Sequence, residues 1–299
     1  MVIIVAVDIV CVYVTERGLT MQDASLLSRP DLAEIASYIK RDNLETVNKS
    51  VKAVNKKETF YTRYGKRAID IILSGIALLL TSPINLVIAI VTLFDVGTPI
   101  IFRQQRNGKD LKPFTIYKFR NMTNATDANG ELLPPDKRVT KWGRFVRKTS
   151  LDELLNFVSI FNGSMSIIGP RPLLDYYAER LNDRHKGIYL VKPGLECPTL
   201  HKVDHALSWQ ERLDNYVWYV ENCSFLIDLR LAFRIVQTAL DRKSTAVRSG
   251  ANHGGVLGYN KDGSLIYTKQ VPDVYIEEYC RNHGFANLEE AVEARGAMD

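Results

Sequence analysis

Cysteine is scarce in this sequence and is never set at metal-ligand spacing. Cys11, Cys197, Cys223 and Cys280 form neither a CxxC pair nor a regular framework. That pattern argues against a disulfide scaffold or a cysteine zinc site and fits reduced, cytosolic thiols. Internal repeats and low-complexity tracts are lacking too. The opening run Met1 to Val14 is apolar except for Asp8 but has no basic leader and no small-residue cleavage site, so a signal peptide is not expected. As a helix it would reach only about 21 Å against a hydrocarbon core of about 30 Å, and its β-branched content suits a buried strand equally well. No function attaches to it.

Long uncharged runs are almost missing, which excludes a polytopic membrane protein. The exception is Ile71 to Phe94, 24 residues without a charge, long enough to be a membrane segment. Pro83 sits near its middle. As one straight helix the segment would be about 36 Å long and could span. Pro83 removes an amide donor and clashes with the Leu79 carbonyl, while the Ser82 hydroxyl can bond the freed backbone, which favours a bend. The two arms would then reach roughly 18 and 16 Å, too short to cross. Both flanks are basic, with Arg63, Lys66 and Arg67 before the segment and Arg103, Arg106, Lys109 and Lys112 after it. A spanning helix would put one cluster outside, whereas a re-entrant helix-break-helix keeps both in the cytoplasm. Sequence physics alone leaves spanning and re-entry both open.

With 46% hydrophobic and 24% charged residues, the rest has globular composition. Residues 103 to 148 hold twelve Lys or Arg against four Asp or Glu, a patch that wants an anionic partner. Nucleic acid, an anionic lipid surface and a phosphorylated substrate would all satisfy it. Residues 22 to 58 are polar and helix-prone. Short apolar runs at Ile100 to Phe102 and Phe114 to Phe119 read as strands, and a turn-rich loop covers Asn124 to Asp136. Leu151, Leu154, Leu155, Val158 and Phe161 recur at helical spacing from Leu151 to Asn162-Gly163. Further helices are expected at Trp209 to Val220 and Leu226 to Leu240, a hairpin turn at Lys261-Asp262-Gly263, and short helices at Asp273 to Cys280 and Leu288 to Ala294.

Three constellations could carry chemistry. Ser150-Leu151-Asp152-Glu153 reads first as an S-x-x-E capping box. It also puts a carboxylate at a helix start, where dipole and free amides would keep Asp152 ionised and hold phosphate oxygens. Such a carboxylate can attack phosphorus and divide one transfer into two, with Arg144, Arg147 and Lys148 nearby to offset charge. Ile168-Gly169-Pro170-Arg171-Pro172 brackets an arginine between prolines, either a rigid turn or a guanidinium pre-positioned for phosphate. Tyr117-Lys118-Phe119-Arg120 would set Lys118 and Arg120 on one strand face. His201 and His205 beside Asp204 have a metal-compatible spacing but no third ligand motif, and Cys197 reads as a small buried residue rather than a nucleophile.

Taken in order, these blocks resemble the bacterial sugar transferase family, the monotopic polyprenyl-phosphate phosphoglycosyl transferases, over roughly residues 60 to 243. The resemblance is carried by Lys66-Arg67-Ala68-Ile69-Asp70, Ser82-Pro83, FRQQRNGKDLKPFTIYKFRNM at 102 to 122, TKWGRFVRKTSLDELLNFVSIFNG at 140 to 163, SMSIIGPRPLL at 164 to 174, Lys192-Pro193-Gly194 and ALSWQERLDNYVWYVEN at 206 to 222. It implies an α-rich α+β monotopic membrane domain with a re-entrant helix bent at Ser82-Pro83 and a cytoplasmic catalytic domain at a bacterial inner membrane. It also implies transfer of a sugar-1-phosphate from a UDP-sugar to polyprenyl (undecaprenyl) phosphate with release of UMP, the first membrane step of surface polysaccharide or glycoconjugate synthesis. Asp152 would be the nucleophile, Glu153 would assist metal or proton handling, and both would hold Mg2+. Lys118, Arg120, Arg144, Arg147 and Arg171 would contact phosphates. Nucleic acid is not an expected partner, and a homodimer is left open. Residues 1–59 and 244–299 fall outside as an N-terminal extension and a C-terminal appendage.

The sequence departs from the family pattern at Ser164, where an acidic residue is usual, at Leu155, where a proline is usual, and in ECPTLHKVDH at 196–205. A catalytically weakened membrane scaffold and a membrane-tethered nucleic-acid binder are the rival readings.

Overall fold

The computed structural model describes residues 13–14, 20–126, 130, 132–133, 135–201, 203–240 and 254–296. The opening apolar run, apart from Tyr13 and Val14, and Cys11 lie outside the described residues, as does the proposed boundary at Ser244. Strands β1 (Tyr13–Val14) and β2 (Thr20–Gln22) precede helix α1 (Arg29–Ser50), where Ser28 caps the Asp31 amide and Pro30 fits the first turn. Helix α2 (Lys66–Val96) follows, then strands β3 (Ile101–Asn107) and β4 (Pro113–Phe119), an antiparallel pair with Ile101 opposite Phe119. Next come α3 (Pro135–Arg138), α4 (Lys141–Lys148) and α5 (Asn156–Asn162). Strand β5 (Ser166–Ile168), helix α6 (Tyr177–Arg180) and strand β6 (Gly194–Glu196) lead to α7 (Trp209–Asn222) and α8 (Phe225–Leu240). The chain ends with β7 (Val256–Tyr259), β8 (Leu265–Tyr267), β9 (Val271–Pro272), α9 (Asp273–His283) and α10 (Leu288–Gly296). This is a mixed helix and sheet fold, with the strands, the two C-terminal helices and the hairpin turn near where the sequence put them.

The central core is organised by α7. Leu213, Tyr216, Val217 and Val220 recur at helical spacing and are all buried, so one stripe faces inward. Leu213, Tyr216 and Val217 pack with Ile168, Leu173, Ile188 and Tyr189, fixing β5 and the turn after it. Gly169 and Gly194 permit the close approach of the parallel strands β5 and β6: a Cβ on Gly194 would stand 2.1 Å from the Gly169 nitrogen.

Helix α2 keeps most of its apolar surface out of this core. Leu79 is 75% and Leu80 67% exposed, while both ends of the helix are tied to the globular body. Near its start Arg67 donates to the carbonyls of Ile160 and Phe161 at 2.6 and 2.7 Å, and the buried Asp70 carboxylate accepts from Ser166 Oγ and the Ile167 amide. Near its end Thr140 donates to Asp95 at 2.6 Å and Trp142 to Thr92 at 3.3 Å. The expected break at Ser82-Pro83 is not a loss of helix, since α2 runs through Pro83 as one element. The reason is local: Ser82 Oγ donates to the Leu79 carbonyl at 2.8 Å, the acceptor that Pro83, lacking an amide hydrogen, leaves free.

The two ends of the chain, treated in the sequence as separate extensions, share one core. Ile35, Tyr38 and Ile39 of α1 pack with Leu257, Ile266, Tyr275, Ile276 and Tyr279, and β2 pairs with both β1 and β9. Asn43 crosses this junction by donating to the Tyr259 carbonyl and the Tyr275 hydroxyl, at 2.8 and 2.9 Å. Contact is tightest at Gly258, where a Cβ would meet Ile39 Cγ2 at 2.5 Å. Gly258→Ala is therefore expected to cost about 1–3 kcal/mol through overpacking. Adding Ile39→Leu, which removes Cγ2, should recover part of the loss in thermal melting of the full chain. A double variant that melts no higher than the single one would contradict this packing.

Candidate active site

The site begins with a backbone reversal. Helix α4 ends at Lys148, and Ser150 follows in the left-handed region at φ 57, a conformation that costs a non-glycine residue about 1–2 kcal/mol. Leu151–Glu153 then form a single 3-10 turn, and α5 starts only at Asn156. This corrects the expected helix start at Leu151. It also corrects the capping box, because the Ser150 side chain makes no cap bond. The S-x-x-E box that does form is Ser208 with Glu211 at the start of α7. The turn points Asp152 inward, where it is 6% exposed.

Two carboxylates side by side meet different surroundings. Glu153 Oε1 accepts from Lys118 Nζ at 2.6 Å and from Arg171 Nη2 at 2.9 Å, and Arg171 Nη1 reaches Glu196 at 3.1 Å. Burial alone would push Glu153 up, but Arg171 and Lys118 outweigh it and hold the carboxyl below its usual range. Asp152 accepts from Asn121 Nδ2 at 3.3 Å, and Asn121 Oδ1 takes the Arg147 Nε donor at 3.0 Å. Burial raises the Asp152 carboxyl above its ordinary value, opposed by Lys118 and Arg147 and reinforced by the Glu153 charge. The expected helix-start effect on Asp152 does not dominate: desolvation does, and the adjoining turn is too short to supply a strong dipole.

Lys118, Glu153 and Arg171 line a cavity of about 170 Å³ with Arg106, Asn156, Arg212 and Trp209. Arg106 is desolvated enough for burial to lower its pKa, and its Nε is buried without a protein partner. Arg212 lies over the Trp209 ring, 5.4 Å from the centroid. From the sequence Arg106 was read only as part of a basic flank, and Arg212, Asn121 and Glu196 were given no role; Arg106, Asn121 and Arg212 stand within the blocks that carry the resemblance, which was the available signal. The other expected phosphate contacts lie apart. Arg120 follows β4 and donates to the carbonyls of Val96 and Thr98, closing the end of α2. Arg144 is exposed on α4.

Cys197 is buried, and burial drives its thiol well up, as an inert core residue requires. His205 pairs with Glu211 at 2.8 Å and His201 is exposed. Among the described residues no three His, Cys, Asp or Glu side chains gather as a metal cluster.

Comparison with known proteins finds bacterial sugar transferases. An uncharacterized sugar transferase of Bacillus subtilis, EpsL, is 41% identical over 179 residues, which cover 58% of this chain and 87% of EpsL. A UDP-glucose:undecaprenyl-phosphate glucose-1-phosphate transferase of Klebsiella pneumoniae is 37% identical over 195 residues, or 60% of this chain but only 41% of that enzyme. The exopolysaccharide production protein PSS of Rhizobium leguminosarum is 32% identical over 196 residues, 59% of this chain and 96% of its own length. The cavity, the Asp152–Glu153 turn and both anchors of α2 fall within residues 61–242, the stretch matched by the bacterial sugar transferase family model, and the chain belongs to that family.

Proposed function

We propose that this chain is a phosphoglycosyl transferase, moving a sugar-1-phosphate from a UDP-sugar to polyprenyl (undecaprenyl) phosphate and releasing UMP. The observation that carries this reading is the buried Asp152–Glu153 pair, whose two carboxyls are pushed in opposite directions beside a cavity lined with arginine and lysine. Adjacent carboxyls driven apart in this way take different roles. Asp152, the more basic, is the nucleophile: its oxygen bonds to the sugar-bearing phosphorus while the diphosphate P–O bond breaks and UMP leaves with the electron pair. An oxygen of the lipid phosphate then attacks the same phosphorus and frees Asp152. Glu153 holds Lys118 and Arg171 in place, and Arg106 brings an unpartnered donor to the charge of the phosphates.

The carboxylates fit Mg2+ of the kind bound by one or two protein carboxylates plus substrate phosphates. Asp152 forms no ion pair among the described residues, whereas Glu153 would exchange a cation for the metal. When bound, the ion supplies positive charge to the diphosphate.

The same reading places the protein at the cytoplasmic face of a bacterial inner membrane with α2 as a re-entrant segment. Anchors at both ends of α2 to one globular body support re-entry, and so do the basic flanks. Phe225, Leu226, Leu229 and Phe233 leave an exposed apolar face on α8, suited to lie in the interface. The weakened-scaffold reading is disfavoured by Glu196: the segment that departs from the family pattern supplies a carboxylate directly to Arg171.

A panel of UDP-sugars assayed with polyprenyl phosphate tests the reaction. One sugar should give UMP, Asp152→Asn should give none while melting like the parent, and Arg171→Lys should lose about 10–100-fold because lysine cannot bridge Glu153 and Glu196. Turnover by folded Asp152→Asn would refute the assignment. For topology, single cysteines at Thr59 and Thr98 in a cysteine-free background should label from the same side; opposite-side labelling would overturn re-entry.

A further inference from the structure

A second basic cavity lies at the root of α2. It encloses about 220 Å³ and shares no lining residue with the cavity that holds Glu153. Seven lysines and arginines line it against the single carboxylate of Asp70, and Asp70 is already engaged by Ser166 and the Ile167 amide. Three of the cations are paired nearby, Lys66 with Asp228 at 2.6 Å, Lys56 with Glu58 and Lys109 with Asp110 at 3.9 Å. Lys57, Arg63, Arg67 and Lys192 form no ion pair among the described residues.

Two of these charges converge, while Lys57 and Arg63 stand at the exposed rim. Arg67 Nη2 and Lys192 Nζ lie 3.1 and 3.3 Å from the point where a Cβ on Gly163 would stand, so two like charges share one small region. Lys192 is half-buried, and burial, then the neighbouring Arg67, hold its ammonium below the usual range. Removing water from clustered cations is costly unless an anion takes its place. The location selects the kind of anion. The lining includes Thr62, Arg63, Lys66, Arg67 and Asp70, immediately before the uncharged run that starts at Ile71, which is the level of lipid headgroups if α2 enters the bilayer. Lys57 precedes residue 61, where the family match begins, so part of this site comes from a segment outside the family model. Its amide is fixed to the Val220 carbonyl at 3.2 Å.

We propose that this cavity is a phosphate-ester site separate from the catalytic carboxylates, with Lys57, Arg63, Arg67 and Lys192 as its cationic walls. The phosphate could belong to an anionic phospholipid headgroup or to a free phosphate. The headgroup source rests on the membrane reading of α2, whereas binding of phosphate from water does not, so the two fail separately.

The test uses the full chain in detergent, with melting temperature followed against dihexanoyl-phosphatidylglycerol, inorganic phosphate and phosphate-free dihexanoylglycerol. Lys57→Gln/Lys192→Gln is compared with Lys40→Gln/Lys49→Gln, which removes equal charge from α1. Arg63→Gln, at an exposed position, serves if the first pair does not fold. The parent and the α1 variant should be stabilised by a phosphate probe, and the cavity variant should need about tenfold more of it or beyond. Stabilisation by phosphatidylglycerol alone assigns a lipid source, and an equal effect of inorganic phosphate assigns a water-phase source. No response to either phosphate, an undiminished response in the cavity variant, or an equal response to dihexanoylglycerol would overturn the proposal.

Discussion

The Glu153 carboxylate joins stretches of chain that are distant in sequence. Lys118 reaches it from β4, Arg171 from the proline-bracketed turn after β5, and Arg171 extends the link to Glu196 at the end of β6. Leaving one partner of a buried pair uncompensated costs about 3–5 kcal/mol, and less where water reaches the pair, as at Arg171, whose side chain is 39% exposed. A helix cap is worth ~1 kcal/mol, the smaller of the two where the pair is shielded from water, as at Lys118 and Glu153. That difference explains why Glu153 serves two cations instead of closing a capping box with Ser150. It also leaves the next carboxyl, Asp152, buried beside a charged neighbour and therefore more basic. The reactivity proposed for Asp152 depends on where Glu153 spends its oxygens.

The contrast with Ser208 and Glu211 shows what local sequence can decide. Both tetrads have the same S-x-x-E pattern, but Glu211 lies on an exposed surface where its own helix start offers the best donors, whereas Glu153 folds against Lys118 and Arg171. Helix periodicity located α7 and α8, a short apolar run located β4, and Lys261-Asp262-Gly263 located the hairpin, because those signals are local. The ordered blocks from 60 to 243 identified the family, the carboxylate pair and Arg171. Asn121, Arg106 and Arg212 lie within those blocks and Glu196 in the segment that departs from them, but each takes its place at the site only through tertiary packing. Arg120 shows the converse: two residues after Lys118, it falls just past the strand and turns to the carbonyls ending α2.

The membrane segment follows the same logic. Proline at position 83 correctly marked a freed carbonyl, but the break it implied is absorbed by the Ser82 hydroxyl within a continuous helix. What positions α2 is the pair of anchors at its ends, Arg67 and Asp70 on one side and Asp95 and Thr92 on the other. The segments at the two ends of the sequence supply halves of a shared core, and no sequence-local signal joins α1 to β7 and α9.

The central claim is that Asp152 itself carries the sugar-phosphate between donor and lipid. Incubating the wild-type chain with its UDP-sugar and magnesium but without lipid, then mapping the adduct by mass spectrometry, addresses it directly. The account predicts a phosphosugar on Asp152 that is discharged when polyprenyl phosphate is added; a tag on another residue, or UMP release that strictly requires lipid and leaves no adduct, would contradict it.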